Sequence, residues 1–199
     1  MSRSQDGAVE VLHSSVLDVL GAEITVGTLA EGAVLTLEQI QQRFEVSRTV
    51  AREAMRMLEH LHLVTSRRRV GLVVRPAADW LVFDARVIRW RLAGPGRIAQ
   101  LRSLTELRAA VEPVAAAAAA RHADAAEVDR LVALTERMRV LGEAGRLEEF
   151  LACDIQFHAL LLRAGRNEMF AALTEVVAEV LTGRTRHGLM PDRPRAEAL

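Results

Sequence analysis

Apolar residues recur at helical spacing through most of this chain, and the spacing breaks at a few turn-forming points that divide it into elements. Val9, Leu12, Val16, Leu20 and Ile24 predict a first helix over Val9–Ile24. Gly27–Gly32 reads as a loop and Ala33–Leu35 as a short strand. Thr36 stands where it would cap a brief second helix, Leu37–Phe44, with Leu37, Ile40 and Phe44 inward. After a tight turn at Glu45-Val46, Ser47 caps a third helix that reaches about Leu61. At about 100° per residue, Val50, Ala54, Met57, Leu58 and Leu61 share one side of it, while Arg48, Arg52 and Arg56 cluster opposite. Two short β-like runs follow, Leu63–Thr65 and Leu72–Val74, with Arg67, Arg68 and Arg69 at the turn between them.

Helix, helix, short turn, helix and β-wing together predict a winged helix-turn-helix over residues 1–77. Residues 78–96 read as a linker that holds Trp80 and Trp90 and ends in Ala93-Gly94-Pro95-Gly96. Residues 97–199 are helical in pattern: Ile98–Arg121, with Pro113 expected to kink it, then Ala125–Gly142, Leu147–Leu162 and Asn167–Thr182. The fold class is therefore mainly α, an N-terminal winged helix-turn-helix plus a C-terminal all-α antiparallel helical bundle. No fixed period recurs, which excludes a solenoid.

A chain of 199 residues, half of them hydrophobic, can build a real core. Cys153 is the only cysteine, so no intrachain disulfide forms, and a reducing compartment fits. No apolar run approaches the roughly 20 residues that span a bilayer. A cytoplasmic protein without membrane contact is expected. All 26 basic residues are arginine, a compositional bias that by itself says little. The net charge of zero argues against nucleic acid until its distribution is read. Between Ser47 and Arg75 stand Arg48, Arg52, Arg56, Arg67, Arg68, Arg69 and Arg75 against Glu53 and Glu59, a local excess of five positive charges (seven minus two).

Arginine can contact phosphates for affinity and guanine edges for specificity. A helix led by Ser47, Arg48, Thr49 and Arg52 can enter a major groove. Base-edge contact is assigned to Arg48 and Arg52, phosphate contact to Ser47, Thr49 and Arg56, and backbone or minor-groove contact to Arg69 and Gly71. The plain alternative is a solvated amphipathic helix in a bundle.

The run Ser47-Arg48-Thr49-Val50-Ala51-Arg52-Glu53-Ala54, with Leu58, Leu63-Val64 and Arg69-Val70-Gly71-Leu72-Val73-Val74, resembles the signature of GntR-family transcriptional regulators over about the first 76 residues. The resemblance implies that the family's DNA-contacting serine, arginines and wing glycine map onto Ser47, Arg48, Arg52 and Gly71. One departure is Glu38, where many relatives carry an arginine, so a phosphate contact is missing there.

In the helical half, Leu147, Phe150, Leu151, Asp154, Phe157, His158 and Leu161 form an inward stripe. Asp154 and His158 are one turn apart, a spacing at which a carboxylate and an imidazole can bind one divalent cation such as zinc. A paired core aspartate–histidine would account for them equally. Arg108 lies on the stripe Leu101, Leu104, Arg108, Val111, Ala115, with Glu112 one turn away. It reads either as half of a structural salt bridge or as an arginine awaiting an anionic ligand.

Glu106-Leu107-Arg108-x-x-x-Glu112, Cys153-Asp154-x-x-Phe157-His158 and Gly165-Arg166-Asn167 resemble the FCD effector domain of the FadR-like branch. That resemblance implies a metal held by one aspartate and three histidines, with a carboxylate effector completing its shell. Asp154 and His158 match the first two ligands. The others would lie past Leu199, so a C-terminally truncated domain with an incomplete site is expected; His187 does not sit at a matching position. The segment from Trp80 to Trp90 is similar to one found in regulators of sugar-acid operons, galactonate repressors among them.

These readings point to a homodimeric repressor that binds a palindromic operator in double-stranded DNA and answers to a small carboxylate or sugar acid. The competing expectations are a metal-dependent enzyme built on Asp154 and His158, and a regulator whose sensor is defective. No nucleophile–base pair or phosphate loop supports the enzyme.

Overall fold

Residues 16–186 are described by the computed structural model. The expected helix start at Val9, and the tail beyond Arg186 with His187, lie outside the described residues. The chain divides into two compact units, Met1–Arg97 and Ile98–Leu199.

In the first unit, helix α1 (residues 16–25) buries Val16, Leu17, Leu20 and Ile24 on one side. Strand β1 is Val34–Leu35. Helix α2 (Leu37–Phe44) begins in a capping box: Thr36 Oγ1 accepts from Gln39 N at 3.2 Å, and Thr36 N donates to Gln39 Oε1 at 2.8 Å. It ends at Glu45, which takes a left-handed conformation and turns the chain into α3 (Arg48–His60). Ser47 caps α3, its Oγ accepting from Val50 N at 3.3 Å. The buried side of α3 is Val50, Ala51, Ala54 and Leu58, with Met57 only half-buried.

The wing is a hairpin of β2 (Val64–Arg67) and β3 (Gly71–Val74). The sheet order is β1-β3-β2, antiparallel, with Leu35 opposite Leu72 and Arg67 opposite Gly71. Arg67 is thus a ladder residue and not a turn residue as expected. The turn is Arg68-Arg69-Val70, closed by Val70 N donating to Arg67 O at 3.0 Å, and Arg69 sits at φ +65°.

Residues 78–96, expected as a linker, instead complete this unit. A short 3-10 turn (Ala77–Asp79) leads to helix α4 (Ala85–Ala93), whose Val87 and Trp90 join the core of Leu20, Ile24, Leu58 and Leu63. Each such side chain contributes roughly 1.5–3 kcal/mol of transfer free energy. Trp90 lies where Gly21 leaves room: a Cβ on Gly21 would come within 2.4 Å of the ring. The indole Nε1 donates to Asp18 Oδ1 at 3.0 Å, while Trp80 Nε1 donates to Arg75 O at 3.1 Å. The two tryptophans, read as part of a linker, pack inside the first unit.

The second unit holds α5 (Arg97–His122, whose first residue falls at the boundary), α6 (Ala125–Glu143), α7 (Leu147–Ala164), α8 (Glu168–Ala172) and α9 (Thr174–Arg186). Helix α5 continues through Pro113. Helices α6 and α7 pair across a turn that contains Gly145 at φ +68°. The single helix expected over Asn167–Thr182 is two. Thr174 Oγ1 donates to Ala171 O at 2.7 Å and Leu173 N to Phe170 O at 3.0 Å, so side-chain and tighter backbone bonding interrupt the ladder at Leu173. One cluster joins Leu134, Met138, Leu141, Phe150 and Cys153; another joins Ala115, Leu162, Val177 and Leu181. Gly165 admits α5 closely, since a Cβ there would lie 3.1 Å from Ala118 Cβ. Arg166, at φ +56°, forks onto Glu127 at 2.8 and 2.7 Å, and Asn167 caps α8.

Candidate nucleic-acid interface and effector cavity

The apolar stripe of α3 faces the core, so its polar stripe must face solvent. Arg48, Thr49, Arg52 and Arg56 are exposed there, and Ser47 stands exposed at the N-terminal end. Arg48 and Arg52 have no ion-pair partner among the described residues. Arg56 leans on Glu53 at 3.5 Å, too long to hold it. Arg67, Arg68 and Arg69 are exposed along the wing. Arg75, counted in the same basic excess, is tied to Asp79 at 3.0 Å.

The two acidic residues of this segment do different jobs. Glu59 accepts from Ser66 N at 2.9 Å and ties the wing to α3, whereas Glu53 only offsets Arg56. Glu38 is exposed in the first turn of α2, where a carboxylate favours the helix N-terminus and offers a phosphate nothing. Gly71 has a second reason to be glycine: its φ is +122°, and a Cβ would lie 2.7 Å from Leu35 O.

In the second unit a cavity of about 270 Å³ opens among α5, α6, α7 and α9. Its polar lining is Arg108, Asp154, His158 and Arg184. Met138, Phe150, Phe157 and Leu181 supply the apolar walls. The structure keeps Asp154 and His158 on one face, as expected from their spacing, and brings to them Arg108, which was read apart from that pair, and Arg184, which nothing in the helical stripes marked out.

Arg108 is bound to Glu112, Nε to Oε1 at 2.6 Å and Nη2 to Oε2 at 3.2 Å, with both side chains largely buried. The same Nη2 lies 3.2 Å from His158 Nε2, and Asp154 Oδ1 is also 3.2 Å from that nitrogen. A guanidinium only donates, so its contact uses the Nε2 lone pair. In a neutral ring this places the proton on Nδ1, which is buried without a hydrogen-bond partner and 3.5 Å from Glu112 Oε1. Phe157 braces the imidazole edge-on, with ring centroids 5.5 Å apart.

Residues 12–74 match the family model of bacterial regulatory proteins, gntR family, and residues 103–199 match the FCD domain. The chain is a GntR-family transcriptional regulator with an FCD domain. Among its relatives is the galactonate operon transcriptional repressor of Escherichia coli, 26% identical over 83% of this chain and 72% of that protein. A probable D-xylose utilization operon transcriptional repressor of Paenarthrobacter nicotinovorans is 30% identical over 85% of this chain and 66% of its own length. Among solved structures, one described by the words "Lar controls the expression of the Listeria monocytogenes agr system and mediates virulence" shares the fold. Its TM-score is 0.50 at 21% identity, covering 87% of this chain and 71% of that one.

The family makes the regulator a DNA-binding protein with a small-molecule domain, and not an enzyme. No helix among the described residues is long and apolar enough to cross a membrane.

Proposed function

We propose that the regulator represses a catabolic operon, binding a palindromic operator as a homodimer and releasing it when a small carboxylate such as a sugar acid enters the second unit. The observation that carries the DNA-binding half is the exposed stripe of Arg48, Arg52 and Arg56 on a helix whose opposite side is core. In this reading Arg48 and Arg52 read base edges, Ser47, Thr49 and Arg56 hold phosphates, and Arg69 with the backbone near Gly71 follows the adjacent backbone or minor groove. Two such heads related by a dyad suit a two-fold site.

For the sensor half, support comes from the 270 Å³ cavity, which suits a small polar metabolite better than a large ligand. Arg108 faces it, and the relatives' names point to operons of sugars and sugar acids. Effector and DNA would communicate by differential affinity for two states. The segment read as the operator-facing ridge is tested by titrating promoter DNA at graded salt. Binding should weaken steeply as salt rises, and binding absent or insensitive to salt would sink the reading.

A divalent cation such as zinc belongs to the same reading. Asp154 Oδ1 and His158 Nε2 are 3.2 Å apart, the separation expected of two ligands each about 2.0–2.2 Å from one ion. Bound there, the ion would polarise a carboxylate or hydroxyl of the effector. Glu112 is committed to Arg108, and the described residues hold no group of three or more acidic, histidine or cysteine ligands around one point. These two residues alone would bind it weakly.

A further inference from the structure

We infer that Arg184 supplies the anion-selecting charge of the cavity, and that Arg108 contributes hydrogen bonds there but no net charge. The inference rests on the proposed carboxylate effector and names the residue that makes the site prefer one. Arg108 is the arginine that its place on α5 singles out, yet its guanidinium already meets the Glu112 carboxylate through two donors, at 2.6 and 3.2 Å. A third contact turns it toward His158. A cation neutralised at contact distance attracts a second anion weakly, because the approaching carboxylate feels Glu112 almost as closely as Arg108. Burial sharpens this, since little water intervenes to screen either charge.

Arg184 differs in each respect. It projects from α9 into the same cavity, is half-buried, and has no carboxylate paired with it among the described residues. It also borders a neighbouring hollow of about 370 Å³ that Arg102 and Glu106 line. Asp154 is the cavity's own lining carboxylate, and it faces His158 at 3.2 Å. Among the described residues Arg184 is therefore the lining cation not spent on a carboxylate, while the charge of Asp154 turns a ligand's hydroxyls and not its carboxylate toward α7. The ligand class follows: a carboxylate of about the size of a six-carbon sugar acid. Its anionic end would lie against Arg184, its hydroxyls toward Asp154 and His158, and its carbon face on Phe150, Phe157 and Leu181.

The test uses the full-length regulator with gluconate, galactonate and xylonate as probes and galactitol as the uncharged control. Binding is measured by calorimetry and by thermal shift. Wild type should bind at least one sugar acid and not galactitol. Arg184→Gln should weaken that sugar acid by about ten- to a hundredfold, while its ligand-free melting point and promoter affinity stay at wild-type values. Arg184→Lys should recover part of the loss, because it keeps the charge and loses the fork. If wild type binds a sugar acid and Arg184→Gln binds it equally well, the inference is overturned and the effector reading stands. If wild type binds none of the three, or binds galactitol equally, both are overturned.

Discussion

The Cα of Gly71 stands so close to the carbonyl of Leu35 that a Cβ would lie 2.7 Å from the oxygen. Here β3 passes β1, and the φ of +122° adds a conformation that L side chains avoid. Gly71→Ala should therefore cost the first unit about 1–3 kcal/mol, by strain and by forcing apart a paired ladder. Both tryptophans lie in this unit and the chain has no tyrosine, so fluorescence-monitored urea unfolding reads it selectively. An unchanged midpoint would mean the crossing yields easily and the glycine serves the wing's partner instead.

The arginines of the basic segment should not be equivalent. Arg52→Ala is expected to cost about 1–3 kcal/mol of operator affinity, concentrated at one base position, with stability unaffected because the side chain is exposed. Arg56→Ala should weaken all sequences alike and lower the salt slope by about 1. Arg75→Ala should do little to binding, since Asp79 already holds that guanidinium at 3.0 Å. Competition binding with single-base operator variants separates the three. A loss at Arg75 equal to that at Arg52 would refute the groove assignment.

What the chain discloses about itself follows from the range of the forces involved. Helix α2 occurs where Thr36 and the spacing of Leu37, Ile40 and Phe44 put it, because capping and amphipathicity act within a few residues. The burial of Val50, Ala54 and Leu58 was legible for the same reason. Helix α4 was not. Its Trp90 packs into the core where Gly21, about seventy positions earlier, leaves room for the indole. The break at Leu173, where Leu173 N turns to Phe170 O and the Thr174 hydroxyl to Ala171 O, is too local for a periodicity to register. Arg108, Asp154 and His158 could be found on helical stripes. Arg184 enters the cavity through the packing of α9 on α7, and no stripe announces that.

The Arg108–Glu112 pair is buried on both sides, with side-chain exposures of 12% and 19%. Removing one partner leaves a desolvated charge, so Glu112→Ala should destabilise the second unit by about 3 kcal/mol or more. Replacing both with methionine should restore much of that loss, because the desolvation of two charges disappears together. Far-UV circular dichroism melts of the two variants decide it. If the double replacement is as unstable as the single one, the pair contributes through its contact to His158 and not merely by neutralising itself.

That contact also bears on zinc. The Nε2 lone pair of His158 faces both Asp154, which would share a cation with it, and Arg108, which donates into it at 3.2 Å. A metal and the guanidinium compete for the same electrons. Zinc should therefore raise the melting point of wild type only slightly, as mass action by a weak two-ligand site requires. Arg108→Gln should show a larger zinc-induced rise, measured against its own metal-free melting point. His158→Gln and Asp154→Asn should show none, and chelator should reverse any rise that occurs. A zinc response that survives both ligand replacements would move the ion elsewhere in the chain. One that falls in Arg108→Gln would make the arginine a support for the metal and not its rival.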